Sequence, residues 1–367
     1  MSNIQPQKTL IVLTHDDSSF LKHLRAISIF IVIFGHVGGF WFFSPYSQYL
    51  LVFNSVFFFV GGAVAPTVFS KCKSTKQYLV QRVVTLFVPY LLLCIIAMFV
   101  FFYQNHRLPV FSVASLTGWL TICPTHKYTP FPLGQLWFLQ TFIIVSLVSP
   151  FFIILQKKKI LLCSYLALVI LISIPVFLDK AFLHSFVFTK RIYIPFFYSY
   201  LYVLGILYGT NSAPFKNPHW IIIGIVLAFF SFYLTRLLNY TPFYTVHVFP
   251  PDLYFLAGST ATVIIFTATQ QICLFLFNKV KFLTYFSDFF FRHTFSIYLT
   301  HTLAIYLVES IIFSFAPLHK NLTYGVIKLF FVLITTASIS IPFTWITSFI
   351  INLIRSKNRG SILSVNN

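Results

Sequence analysis

Four side chains of this 367-residue sequence combine reactive chemistry with an apolar setting: Arg25, His36, Arg82 and His301. Arg25 and His36 lie eleven residues apart in FLKHLRAISIFIVIFGHV. On a helix, eleven steps of about 100° return to within about 20° of the same face. The rise between them is about 16.5 Å. The spacing predicts Arg25 at the mouth of a membrane helix and His36 near mid-depth on the same face. A neutral imidazole there is able to act as a general base, and a guanidinium below it is able to hold an anion. A hydrogen-bonded histidine of the packed interior is the plainer alternative for His36.

His301 is the second histidine inside an apolar run, about ten residues into it, and is expected near the same depth. Arg82 opens QRVVTLFVPYLL and follows Lys71, Lys73 and Lys76. That basic cluster suits an anionic nucleotide, and equally a simple topology signal. Glu309, eight residues beyond His301, either pairs with a cation or faces water. Ionisable groups within apolar spans are costly, so each is a functional candidate.

Several chemistries lack their parts. No DxD, HExxH or glycine-rich phosphate loop is present, so a metal-dependent glycosyltransferase, a zinc protease and an ATPase are not expected. Cys72, Cys94, Cys123, Cys163 and Cys273 are scattered and form no CxxC pair. They are read as passive thiols, and no metal site is expected. The spans carry no ladder of Asp and Glu of the kind that proton-coupled transporters use.

The elements that position these residues follow from composition. The chain is 58% hydrophobic and 8% charged, against about 25% charged in soluble domains. The expected fold is all-α, a polytopic membrane protein of about ten transmembrane helices. The spans are expected at about 21–43, 49–70, 82–103, 137–156, 160–178, 192–210, 218–236, 253–277, 291–315 and 323–353. Pro89, Pro195 and Pro342 fall inside spans and are expected to kink them. Residues 1–20 are expected to be a cytoplasmic N-terminal segment rather than a cleaved signal, 21–353 the transmembrane domain, and 354–367 a cytoplasmic basic tail.

The net charge of +19 is assigned to membrane-flanking cations, not to nucleic acid. On this layout seventeen Lys and Arg fall on the side of the N-terminus and seven on the other, with Lys328 inside the last span. The asymmetry places both termini in the cytoplasm. Residues 104–136 and 237–252 form the larger segments of the far side and are rich in Pro, His, Tyr and Phe. They suit stacking on sugar rings or, equally, packed re-entrant caps. Two glycine pairs, Gly38–Gly39 and Gly61–Gly62, are candidates for close helix approach.

Five stretches in order resemble the landmarks of acyltransferase family 3. They are FLKHLRAISIFIVIFGHV with Arg25 and His36, SVFFFVGGAV, QRVVTLFVPYLL with Arg82, QLWFLQ from Gln135 to Gln140, and FSIYLTH ending in His301. The sequence departs at Lys22, where the family often has Asp, at Thr85 in place of a second Arg, and at Gly61 in place of Ser. The resemblance implies an integral membrane enzyme of the plasma (inner) membrane. It would take an acyl group, usually acetyl, from cytoplasmic acyl-CoA to a hydroxyl of a surface or lipid-linked glycan. It implies His36 as the key catalytic residue, with Arg25 and Arg82 on the donor. His301 is expected to be a second acid/base or an orienting group. His36 would be the general base or would carry the acyl group transiently. Two other classes stay open on the sequence: a carrier or flippase for a glycan precursor, and an envelope scaffold indifferent to Arg25 and His36.

Overall fold

The structure, a computed structural model, describes residues 13–39, 46–107, 112–122, 133, 135–179, 189–241, 243–248, 250–311 and 322–363. Thirteen helices follow in order among them: α1 (His15–His36), α2 (Phe53–Ser70, led in by the 3-10 segment Tyr46–Val52), α3 (Thr75–Asn105), α4 (Val113–Leu120), α5 (Leu136–Leu155), α6 (Lys159–Leu178), α7 (Thr189–Thr210), α8 (His219–Leu237), α9 (Tyr244–His247), α10 (Leu253–Ala268), α11 (Gln270–Lys279), α12 (Lys281–Ile311) and α13 (Leu322–Leu363). Eight of these segments are long and apolar enough to cross a bilayer, and α10 with α11 makes a ninth as a pair bent by 66°. The 31-residue α12 is long enough as well but more polar. Its Thr294, Ser296, Thr300, His301 and Thr302 are all buried, as polar groups in a membrane helix must be.

Helix starts differ most from expectation, and side-chain capping explains two of them. α1 begins at His15, not near 21, because Thr14 and Asp17 form a capping box. The Thr14 hydroxyl accepts from the Asp17 amide at 3.1 Å, and the Asp17 carboxylate accepts from the Thr14 amide at 3.3 Å. α3 begins at Thr75, not 82, because the Ser74 hydroxyl accepts from the Gln77 amide at 3.2 Å. The Gln77 side chain in turn accepts from the Lys73 amide at 2.6 Å. The expected single span at 253–277 is broken at Thr269. The expected span at 291–315 starts ten residues inside α12, which begins at Lys281 and is described to Ile311, and the one at 323–353 lies within α13, which begins at Leu322. Pro89, Pro195 and Pro342 sit inside helices that continue through them.

The chain divides into two compact units, residues 1–78 with 144–292 and residues 79–143 with 293–367. In the first, the most extensive helix contact is α2 on α7, followed by α8 on α10 and α1 on α2. The α2–α7 crossing is a backbone contact. A Cβ on Gly62 would lie 1.9 Å from the Tyr202 carbonyl oxygen, and Cβ atoms on Gly205 and Gly209 would lie 2.0 Å from those of Phe59 and Ala63. Gly205 and Gly209 form a GxxxG stripe that the sequence reading passed over. Gly38, by contrast, serves a turn after α1 with φ +102°, and among the described residues no heavy atom lies within 4 Å of its Cβ position.

In the second unit the described residues 112–122 of the 104–136 segment pack on its helices. The Tyr90 hydroxyl donates to the Trp119 carbonyl at 2.6 Å, and the Gln140 amide donates to the Thr121 carbonyl at 2.9 Å. The described residues of the 237–252 segment, in the first unit, pack against the lead-in to α2 and the start of α10. Tyr244 lies 4.9 Å from Tyr49 and 4.8 Å from Tyr254 between ring centroids. Of the two alternatives for that segment, the described residues form a packed cap.

Candidate active site

Arg25 and His36 both belong to α1, which at 22 residues is about 33 Å long. The earlier helix start changes their stations. Arg25 stands ten residues from one end and eleven from the other, at the middle of α1 and not at its mouth. His36 is the closing residue of the helix, not a residue halfway along a longer one. Arg25 is half-buried between two aromatic faces, its guanidinium carbon 5.8 Å from the Phe57 ring centroid and 5.6 Å from that of Phe291. Cation–π contacts hold the charge without neutralising it.

The His36 ring is exposed, and its Nδ1 lies 2.9 Å from the Val32 carbonyl oxygen one turn back. A carbonyl only accepts, so Nδ1 carries the hydrogen. In the neutral ring the lone pair is then on Nε2. Helix geometry thus fixes the tautomer, and the nitrogen that can take a proton is the outer one.

The other end of α1 holds a buried polar node that the sequence reading passed over. Asp17, 1% exposed, pairs with Lys216 at 2.7 Å. It also accepts from the Tyr208 hydroxyl at 2.9 Å, the Ser212 hydroxyl at 2.9 Å and the Gln270 amide at 3.0 Å. One carboxylate therefore ties the start of α1 to the end of α7, the following turn and the start of α11. The capping-box spacing Thr14–Asp17 was the available signal; its remote partners had none.

Beside it, buried His23 stacks on Phe277 at 4.3 Å and is held by Ser287 at 2.6 Å. Lys22 pairs with Asp288 at 2.7 Å, and the ammonium holds that carboxyl below the usual carboxylate range. Lys22 occupies the position where a family Asp was expected, and its acid partner comes from α12.

His247 and Asp252 form a further buried pair at 2.5 Å. The His247 Nε2 faces the Thr241 carbonyl at 2.8 Å and so must donate to it. Asp252 also caps α10 through the Phe255 amide at 3.2 Å. With both ring nitrogens engaged, this imidazole braces the cap and has no lone pair to offer a substrate.

In the second unit Arg82 stands seven residues after the start of α3, half-buried, instead of at the helix entrance. Thr85, one turn on, turns its hydroxyl to the Gln81 carbonyl at 2.7 Å. The same hydroxyl accepts from the Arg355 guanidinium of α13 at 3.2 Å. A second arginine therefore reaches the helix turn that holds Arg82, although none is encoded at position 85. In the sequence Arg355 is one of the seventeen cations counted on the side of the N-terminus.

His301 is fully buried on α12, ten residues before its end. Its Nδ1 donates to the Tyr298 carbonyl at 2.7 Å, which again leaves Nε2 with the lone pair. The surrounding turn locks onto the start of α5. The Tyr298 hydroxyl donates to the Gln135 carbonyl at 2.5 Å and accepts from the Leu139 amide at 3.2 Å. The Gln135 side chain donates to Thr302 at 2.8 Å. QLWFLQ and FSIYLTH, far apart in sequence, thus form one interlocked cluster. Glu309 pairs with Lys328, the first of its two expected alternatives. Of the cysteines, Cys72, Cys94, Cys163 and Cys273 are free thiols, and Cys123 lies outside the described residues.

Residues 18–348 match the family model described as the acyltransferase domain of acyltransferase family 3. No curated protein and no solved structure matches the chain. The match covers nearly the whole sequence, and the chain belongs to this family of membrane acyltransferases.

Proposed function

We propose that this membrane acyltransferase takes an acyl group, acetyl in the first instance, from cytoplasmic acyl-CoA and passes it to a hydroxyl of a surface or lipid-linked glycan. The observation that carries the reading is the fixed tautomer of His36, an exposed imidazole whose Nδ1–H is held by Val32. Nε2 takes the proton from the acceptor hydroxyl as its oxygen attacks the thioester carbonyl. The new ester C–O bond forms and the C–S bond breaks. The thiolate of CoA leaves and takes the proton back from the imidazolium. The Nδ1–H to Val32 bond strengthens while the ring is charged.

Arg25 and Arg82 engage the donor in this reading, joined by Arg355, whose guanidinium reaches Thr85. Arginines suit phosphate because they present several fixed donors and stay charged. His301, with Nε2 also left as the lone-pair nitrogen, serves as a second acid/base or an orienting group. Both termini are assigned to the cytoplasm of a plasma (inner) membrane protein, on the excess of Lys and Arg on that side.

The test pairs wild type with His36→Ala in matched membranes at equal insertion, supplied with radiolabelled acetyl-CoA. Label should enter the envelope glycan fraction, with release of free CoA, in wild type only. Equal labelling in both proteins would remove His36 from the chemistry. Transport of a glycan precursor with no CoA release in either would replace the enzyme reading with a carrier.

A further inference from the structure

Within the first unit, α5, α6 and α7 surround an apolar cavity of about 400 Å3, a volume typical of small-molecule sites. Its inner wall is an aromatic ladder. Phe152 lies 5.1 Å from Tyr165, and Tyr165 lies 5.7 Å from Phe196, between ring centroids. Phe152 and Ser199 are buried. The rim is different: Ile144, Val148, Phe151 and Ile192 are exposed, the last at 68%. These rim residues lie on helices of membrane-spanning length, so the cavity opens sideways to where lipid tails run. Its polar lining, Tyr165 and Ser199, is hydrogen-bonded to itself, so a hydrocarbon chain displaces no polar contact.

The chain places charge at one end of this cavity. α5 stops at Leu155 and α6 starts at Lys159, and the turn between them brings Lys157, Lys158 and Lys159 together, all exposed. Phe152 is three residues from the end of α5, and Tyr165 is six residues from the start of α6. At about 1.5 Å per residue the lysines stand about 5–9 Å beyond that end of the cavity. A phosphate at the turn and a chain in the cavity is the arrangement that one phospholipid spans.

We propose that the α5–α6–α7 cavity and its lysine turn bind one anionic glycerophospholipid, an acyl chain in the cavity and the phosphate headgroup at Lys157, Lys158 and Lys159. None of Arg25, His36, Arg82 and His301 lines the cavity, and the proposal stands whether or not the donor is acyl-CoA. Basic residues at the membrane surface favour anionic lipid by about fivefold each, which for three lysines is about 100-fold over a zwitterionic lipid.

The test is lipid retention by native mass spectrometry of full-length protein from micelles holding phosphatidylglycerol or phosphatidylcholine. Three variants accompany wild type: the triple Lys157→Gln, Lys158→Gln, Lys159→Gln, and the cavity-filling Val148→Trp and Ile192→Trp. Ile192 is at the exposed rim, so its variant keeps the test alive if Val148→Trp does not fold. Wild type should retain one phosphatidylglycerol in strong preference to phosphatidylcholine. The triple variant should lose the preference, and the tryptophan variant that folds should lose the bound lipid. Retention of phosphatidylglycerol by the triple variant at the wild-type level would overturn the proposal. So would equal retention of the two lipids by wild type, or full retention by a folded tryptophan variant.

Discussion

Gly205→Ala tests whether the α2–α7 backbone contact organises the first unit. The added Cβ would stand 2.0 Å from the Phe59 carbonyl oxygen and 2.8 Å from the Ala63 amide nitrogen. Contacts under about 3.0 Å do not persist, so the two helices must part by about 1 Å or more. Both obstructing atoms are backbone and cannot rotate away. Gly209 and Gly62 approach the partner helix equally closely, so parting at one point loosens the whole stripe. Overpacking of this kind costs about 1–3 kcal/mol. With an unfolding entropy of about 2.1 cal/mol/K per residue over the full chain, Tm falls by about 1–4 °C.

Gly39→Ala is the matched control. Its Cβ would lie 2.4 Å from the tip of the Phe34 ring, a comparable nominal overlap with a side chain that can swing aside. Melts of the purified protein in one detergent, followed by circular dichroism, should show a fall for Gly205→Ala and a much smaller change for Gly39→Ala. An unchanged melt for Gly205→Ala, or an equal fall for both, would refute the reasoning.

Three further outcomes follow from the polar contacts. Arg355→Ala should raise KM for acyl-CoA about tenfold, the scale of one charge-assisted contact, with kcat little changed; a fall in kcat at unchanged KM would take Arg355 off the donor. Asp17→Asn leaves Lys216 without its carboxylate and should cost about 3 kcal/mol in a detergent melt. Adding Lys216→Gln should cost less than the sum of the two single changes, and strict additivity would deny the coupling. Asp288 has its carboxyl held low by Lys22, so its contribution is present above the ordinary carboxylate value and is lost only as pH falls through the lower folded value. Stability of wild type relative to Asp288→Asn should therefore be flat down to about pH 4 and narrow below it. A difference that closes already near neutrality would contradict the pairing.

Much of the fold was legible because lipid-facing helices declare themselves by composition. The expected 137–156, 160–178 and 218–236 differ from α5, α6 and α8 by at most one residue at either end. The misplaced start of α1 has a cause beyond its capping box. Asp16, Asp17 and Ser18 read as a polar boundary, yet Asp17 is buried among Lys216, Tyr208, Ser212 and Gln270. Partners 191 to 253 residues away leave no trace in local periodicity. The break at Thr269 has the same origin. No proline or glycine marks it, but Gln270 must turn in to meet Asp17 and Tyr208.

The candidate site was legible as residue types and much less as roles. Arg25 and His36 were found by their spacing, but which nitrogen of His36 keeps the lone pair depends on helix continuing from Val32 to its end, a fact of boundaries that spacing does not supply. Position 85 shows the converse. The sequence lacks a second arginine there, a departure from the family pattern, whereas Arg355 arrives from 270 residues further along and meets Thr85. A threonine that accepts from an incoming guanidinium is a different solution from an encoded one. It couples the turn after Arg82 to the end of α13, so changes near Arg355 should act on the donor side of the reaction and leave the tautomer of His36 untouched. That separation, KM moving with Arg355 and kcat with His36, is what the proposed donor contact on α13 and the proposed proton transfer at the end of α1 require.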